Sequence, residues 1–323
     1  MSETIARSAR VPETLAGRRL DRIAAELFPE FSRARLQTWI KSGELQVNGQ
    51  AMRPRDPLMG GDQLELAAQT TAETGHWQAE SIRLDIVHED NSLLVINKAA
   101  GLVVHPAAGN QQGTLVNGLL HHCPDLEAIP RAGIVHRLDK DTTGLMVVAK
   151  TLAAHNALVR QLQERSVDRE YQAVACGVMT AGGTVDEPLD RHPVNRKKRT
   201  VRSGGKPAVT HYRVLERYRR HSLLRVKLET GRTHQIRVHM AHIRHPLVGD
   251  PVYGGRLQIP AGCSEELEQQ LRRFRRQALH AYSLGFVHPD DGVHCSWEVA
   301  APADMQDLIA ALRTDAEAEE LLR

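Results

Sequence analysis

Apolar residues in the first part of the chain recur at helical spacing and then switch to alternation. Leu20, Ile23, Ala24 and Leu27 fall at i, i+3, i+4 and i+7, which predicts an amphipathic helix that Pro29 helps to end. Ser32 is expected to N-cap a second helix carrying Leu36, Trp39 and Ile40 on one face, with Gly43 at its C-terminal end. The solvent face of that helix holds Arg33, Arg35 and Lys41. Beyond it Leu45 and Val47 alternate, Asn48-Gly49 has the composition of a type I′ hairpin turn, and Leu64 and Leu66 end a later strand. Residues 67–80 lack apolar periodicity and read as a linker.

From Ile82 the pattern changes to short runs of Val, Ile and Leu. LLVINK (93–98), GLMVVAK (144–150), YQAVACG (171–177) and LLRVKLE (223–229) predict strands. Between them, 153–166 reads as a helix with Ala154, Leu158 and Leu162 at spacing four, and the segment from Pro302 reads as a helix with a fraying polar end. Strands with few crossover helices indicate an α+β domain whose mixed sheet is largely antiparallel and flanked by helices. The expected organisation is a small module at 10–75, an α+β domain at 80–312 and a polar tail at 313–323.

A length of 323 residues suits two domains of this kind, and 41% hydrophobic with 25% charged residues is ordinary for a globular chain. No run approaches the roughly 18 apolar residues of a membrane span, so an integral membrane protein is not expected. The first 20 residues have no apolar signal core, which argues against secretion. Four cysteines (Cys123, Cys176, Cys263 and Cys295) form no CxxC pair, which favours a reducing, cytoplasmic setting. The net charge of +3 decides little, but its distribution is uneven. Seven basic and no acidic residues lie between Arg191 and Lys206. Further runs are Arg272, Arg273, Arg275 and Arg276, and Arg217, Arg219 and Arg220, while Asp315, Glu317, Glu319 and Glu320 gather near the C-terminus. Such runs are often plain solvated surface, yet three together favour a polyphosphate partner.

Polar and glycine residues interrupt three apparent strands: NKAAGLVVHPAAGN (97–110), GIVHRLDKDTTGLMVVAK (133–150) and ETGRTHQIRVHMAHIRHPLVGDPVYGG (229–255). In the second, Asp139, Asp141, Thr143 and Gly144 match the first positions of a calcium loop, but its twelfth position is Lys150 rather than Glu. An aspartyl-phosphate site of a cation pump fails on the extra Asp141 and on the missing spans. An Asp acting as a nucleophile on RNA fits the surroundings. His234, His239, His242 and His245 are spaced 5-3-3, which sits poorly on one strand, and no nearby carboxylate or Cys completes a usual ligand set, so no metal is expected. His105 and His280 are expected to hydrogen-bond backbone, and Asp250 with Tyr253 to hold a turn.

The run HRLDKDTTGL resembles the signature of the RluA family of pseudouridine synthases. INKAAGLVVHP before it, REYQAVACG after it and ETGRTHQIRVHMAHIRHPLVGDPVYGG further on extend the resemblance. FSRARLQTWIKSGELQVNGQ resembles the S4 RNA-binding domain, so that together the likeness covers about residues 15 to 310. It implies that Asp139 is the catalytic aspartate, that Arg137 works around a flipped nucleotide and that Tyr171 stacks near the base and takes part in proton transfer. It implies further that Arg232 pairs with the aspartate and that Ile236 lines the base pocket. The implied substrate is a specific set of uridines in large-subunit ribosomal RNA or its 50S precursor, in a stem-loop such as helix 69, and the expected protein is a monomer.

The chemistry agrees with this likeness. Converting uridine to pseudouridine breaks a C–N bond, turns the base and joins C5 to C1′, with no redox step and no energy carrier. No GxxxxGK or GxGxxG motif occurs, and no cofactor is expected. A carboxylate can attack covalently or stabilise oxocarbenium charge, and an adjacent Arg keeps it charged and fixes its rotamer. Flipping the base out costs a few kcal/mol and calls for an apolar, aromatic pocket, which Tyr171 and Ile236 suit. The alternatives are a sister synthase acting on another rRNA or tRNA uridine, and a non-catalytic RNA-binding assembly factor. The intact set of Asp139, Tyr171 and Arg232 argues against the second.

Overall fold

The computed structural model describes residues 4–29, 31, 33–69, 77–106 and 111–321. The chain forms two compact units, Met1–Gly75 and His76–Arg323, each with its own apolar core.

The first unit contains β1 (Thr4–Arg10), α1 (Leu20–Leu27), α2 (Arg33–Ser42), β2 (Leu45–Val47) and β3 (Gln63–Gln69), with an antiparallel sheet in the order β1-β3-β2. Leu20, Ile23 and Ala24 of α1 and Leu36, Trp39 and Ile40 of α2 are buried with Leu45, Val47, Leu64 and Leu66 in one cluster. Helical spacing and strand alternation thus point at the same core. Asn48 and Gly49 both have positive φ (50° and 74°), as a type I′ turn requires. β3 continues past Leu66 to Gln69 because β1 pairs along its whole length. The expected Ser32 cap and the side chain of Arg33 lie outside the described residues.

The second unit runs β4 (Ile86–Glu89), β5 (Leu93–Lys98), α3 (Leu115–His122), β6 (Thr143–Ala149), α4 (Leu152–Glu164), β7 (Asp168–Cys176), β8 (Gly183–Asp186), β9 (Leu189–Arg191) and β10 (Arg199–Val201). It continues with β11 (Val209–Arg217), β12 (His221–Leu228), α5 (Gln235–His242), α6 (Glu265–Arg273), β13 (Leu279–Val287), β14 (His294–Glu298) and α7 (Ala303–Leu321). Among the described residues nine strands share one sheet, ordered β4-β5-β6-β13-β7-β12-β11-β8, with β14 also on β13 and β9–β10 as a separate hairpin. Every pairing in that sheet is antiparallel except β6 with β13.

β5 and β6 are apolar on both faces because both faces are covered. Leu94, Ile96, Met146 and Val148 join a core with α3, while Leu93, Val95, Leu145, Val147 and Ala149 join another with Ala154 and Leu158 of α4. Removing such side chains from water contributes about 1.5–3 kcal/mol each. Strands buried on both sides read as continuous hydrophobic runs, as these do.

The start of β6 approaches β13 closely at Gly144, whose φ of 114° leaves the ordinary L-residue regions. A Cβ there would stand 2.2 Å from the Ala281 carbonyl oxygen. Gly144→Ala is therefore expected to destabilise the protein by about 3 kcal/mol, from overpacking plus backbone strain. Denaturant unfolding checks this, and a loss below 1 kcal/mol would contradict it.

Two expectations are corrected. The segment after Arg232 forms a helix, α5, rather than a strand. Residues 313–321 are not a separate polar tail but continue α7, with Asp315 buried, pairing Arg219 at 2.9 Å and accepting the Ser264 N–H at 2.7 Å. Two of the basic runs also give part of their charge to the fold. Arg217 donates to the carbonyls of Met179 and Thr180, Arg219 is held by Asp315, and Arg276 makes a bidentate pair with Asp304 at 2.7–2.8 Å.

Candidate active site

A cavity of about 620 Å³ opens beside the β6–β13–β7 part of the sheet. Its lining includes Asp139, Arg137, Tyr171, Ile236, Arg232 and Arg237. Five of the site residues expected in this unit thus border one space. Arg35 and Lys41 lie on α2 of the other unit, where the Arg35 guanidinium carbon is 4.8 Å from the centre of the Trp39 ring.

Asp139 sits in the tight turn that leads into β6, closed by Thr142 N–H donating to the Asp139 carbonyl at 3.1 Å. Leu138 is buried in the core beside it, which fixes the side of the chain that Asp139 faces. Backbone oxygens of the turn are tied from below. Lys98, at the end of β5, is 2% exposed and donates from Nζ to the carbonyls of Ala99, Leu102 and Lys140 at 2.8–3.0 Å. Burial lowers its pKa to about 8, against the pull of Asp141 and Asp139. Arg276 reaches the Asp141 carbonyl at 3.3 Å, and Gln277 donates to the Thr142 hydroxyl at 2.9 Å.

Arg237, not Arg232, pairs with Asp139. Its Nη1 lies 2.9 Å from Oδ2 of Asp139, while Nε and Nη2 grip Asp250 at 2.7 and 2.9 Å. Asp250 also accepts the N–H groups of Val252 (2.8 Å) and Tyr253 (3.0 Å), so it holds a turn as expected and anchors the arginine as well. Burial raises the Asp250 pKa, but Arg237 and the two N–H groups outweigh it and leave the value lowered. Burial likewise opposes charge on Arg237, and the two carboxylates override it. The physical reason for the correction is where α5 begins. Arg232 precedes the helix, is exposed, and donates from Nε to the Pro207 carbonyl at 3.1 Å. Arg237 lies within α5 and is 5% exposed.

The start of α5 is fixed by Gln235. Its side-chain oxygen accepts from the Thr230 hydroxyl (2.8 Å) and the Arg232 N–H (3.0 Å), and its amide donates to Val209 and Thr210. His234 takes a left-handed conformation (φ 60°) as the residue before the helix. Its Nδ1 is 2.8 Å from the Tyr253 hydroxyl and its Nε2 is 3.9 Å from Asp139. His239 bonds Thr210 and the Glu187 carbonyl, His245 bonds the Cys176 carbonyl, and His280 bonds Thr143 and the Val299 carbonyl.

Tyr171 and Ile236, 6% and 4% exposed, form an apolar wall with Leu228 and Leu279. Burial raises the Tyr171 pKa, Arg169 opposing and Asp139 adding to the rise. Arg137, Arg131 and Arg165 are exposed at the rim, and His105, its pKa lowered to about 4 by burial and by Arg131 and Arg137, is neutral at pH 7. A carboxylate oriented by a guanidinium therefore faces a space walled by apolar side chains and rimmed by cations. That arrangement suits attack on, or charge stabilisation at, a sugar carbon of a base-bearing polyanion.

Sequence reasoning missed Arg237 and Lys98. GRTHQIR offers two arginines five apart, and only the helix boundary between them selects the second. Lys98 closes an apolar strand, but Lys150 closes GLMVVAK in the same way, so the pattern alone does not single it out.

Residues 92–242 match the family model described as RNA pseudouridylate synthase, and residues 18–64 match the S4 domain. A protein of Pseudomonas aeruginosa (strain PAO1) named ribosomal large subunit pseudouridine synthase D is 61% identical over 318 residues, covering 98% of this chain and 99% of that protein. The protein of the same name in Escherichia coli (strain K12) is 53% identical, covering 98% and 97%. Among solved structures, human RNA pseudouridylate synthase domain containing 4 matches with a TM-score of 0.56 and 27% identity, covering 71% of this chain and 93% of that one.

Proposed function

The chain belongs to the RNA pseudouridylate synthase family, and from that premise we propose that it isomerises uridines of large-subunit ribosomal RNA, in the helix 69 stem-loop. The observation that carries this reading is near full-length identity of 61% with a relative whose name specifies the large ribosomal subunit. In this reading Asp139 supplies the reacting carboxylate and Arg237 orients it. Tyr171 and Ile236 hold the flipped base, and Arg137 with the other rim arginines meets the backbone phosphates. The unit that matches the S4 domain binds RNA, with Arg33, Arg35 and Lys41 as its phosphate contacts. In this reading the protein works as a monomer in the cytoplasm, the setting that four cysteines without a CxxC pair favour.

The test is chemical mapping of pseudouridine in ribosomal and transfer RNA from cells lacking this protein. Loss confined to helix 69, restored by the wild-type gene and not by an Asp139→Asn copy, is the expected result. Loss at a tRNA position instead would make the chain a sister synthase, and an unchanged map would remove the catalytic reading.

A further inference from the structure

We propose that Arg169 binds a carbonyl oxygen of the uracil ring and stabilises the negative charge that the ring acquires as its bond to the ribose breaks. This rests on the reading that a uridine occupies the cavity. Arg169 and Tyr171 are two apart on β7, so both project to the same side, and both line the cavity. Arg169 is 7% exposed, and its Nε is buried with no hydrogen-bond partner. Among the described residues no carboxylate pairs with it. Its guanidinium lies over Gly231, where a Cβ would stand 2.8 Å from Nη1. Glycine at that position gives the cation its room.

An unpaired buried cation is costly to a fold and is retained where a ligand completes it. The rim of the cavity has its own cations in Arg131, Arg137, Arg165 and Arg232, all exposed and suited to phosphates. Arg169 lies deeper, with Tyr171, Leu228 and Ile236, in the part of the wall that suits a base rather than a phosphate. When N1–C1′ breaks, the electron pair stays on N1 and spreads to O2 and O4, while Asp139 meets the positive character at C1′. The ring then turns, C5 bonds to C1′, the C5 proton leaves and N1 takes one up, so atoms and charge balance. A guanidinium at O2 or O4 gains strength as that charge develops.

The experiment compares full-length wild type with Arg169→Met, Arg169→Lys and Arg169→Ala in single turnovers at saturating enzyme, on the helix 69 stem-loop. The Met variant is expected to slow the chemical step about a hundredfold, as loss of one preorganised donor does, with RNA Kd within twofold of wild type. Its Tm should equal or exceed the wild-type value, because an uncompensated buried charge is gone. The Lys variant should keep part of the rate. Millimolar guanidinium should restore the Ala variant, and urea, equal in shape but neutral, should not. Weaker RNA binding with unchanged chemistry would make Arg169 a phosphate contact and overturn the proposal. So would a Tm several degrees lower with no guanidinium rescue. Absence of turnover in the wild type would count against the substrate, whereas normal wild-type turnover with an unimpaired Met variant counts against Arg169.

Discussion

Asp139→Asn is expected to reduce pseudouridine formation by at least about a thousandfold while leaving RNA affinity within a few-fold of wild type. The amide keeps the size of the side chain but is a poor nucleophile and a poor partner for a cationic sugar carbon. The fold should tolerate the change, because Arg237 keeps its bidentate hold on Asp250 and is not left unpaired. Lys98, Arg276 and Gln277 grip the neighbouring backbone and Thr142, so the turn itself has no reason to move. Single-turnover conversion of the target stem-loop, read by counting pseudouridine, decides the matter. Activity within tenfold of wild type would remove Asp139 from the reaction.

Arg237→Met should lower stability by about 3–5 kcal/mol as well as abolishing efficient turnover, because two carboxylates lose their shared cation. Asp250 would remain buried with only the N–H groups of Val252 and Tyr253. Arg232→Met, by contrast, removes one exposed bond to a carbonyl and should cost no more than about 1.5 kcal/mol. The effect of Arg237 has a pH signature. The folded pKa of Asp250 is lowered, so the stability it contributes is complete above the unfolded carboxylate value, about 3.9, and is lost as pH falls through the lower folded value. The gap between wild type and Arg237→Met should therefore be widest near neutrality and narrow towards pH 3. Denaturant titrations at pH 7 and below pH 4 measure this. A larger loss in Arg232→Met than in Arg237→Met would reinstate Arg232 as the partner of Asp139.

The first unit was largely legible because its helices and strands have one wet and one dry face. The spacing of Leu20, Ile23, Ala24 and Leu27, and the Asn48-Gly49 turn, carry that information locally. β5 and β6 were legible for the opposite reason, carrying apolar residues on both faces. α5 was not. Gln235 through Met240 are all buried, so no wet face imposes a 3.6-residue period, and Ile236, Val238 and Met240 alternate like a strand. With the helix hidden, the two arginines of GRTHQIR were indistinguishable. Individual arginines within the charge runs were unreadable for the same reason. Arg219 meets Asp315 across 96 positions, and nothing in either local segment announces the partner. HRLDKDTTGL, where function depends on neighbours in sequence, was the readable part of the site.

Backbone oxygens of Ala99, Leu102 and Lys140 converge on one buried ammonium, and the Asp141 carbonyl is held from a second side by Arg276. The carboxylate they support is therefore a stationary target. In the proposed reaction the conformational work then falls to the nucleic acid rather than to this turn. A uridine held by strong stacking has to surrender that stacking before it reaches Asp139, at a cost of a few kcal/mol, whereas one in a loosely stacked loop surrenders less. If Asp139 is the reacting carboxylate, as proposed, the anchored turn beneath it makes the site a filter on RNA: uridines would be sorted by how readily their surroundings come apart, without any side chain reading their sequence.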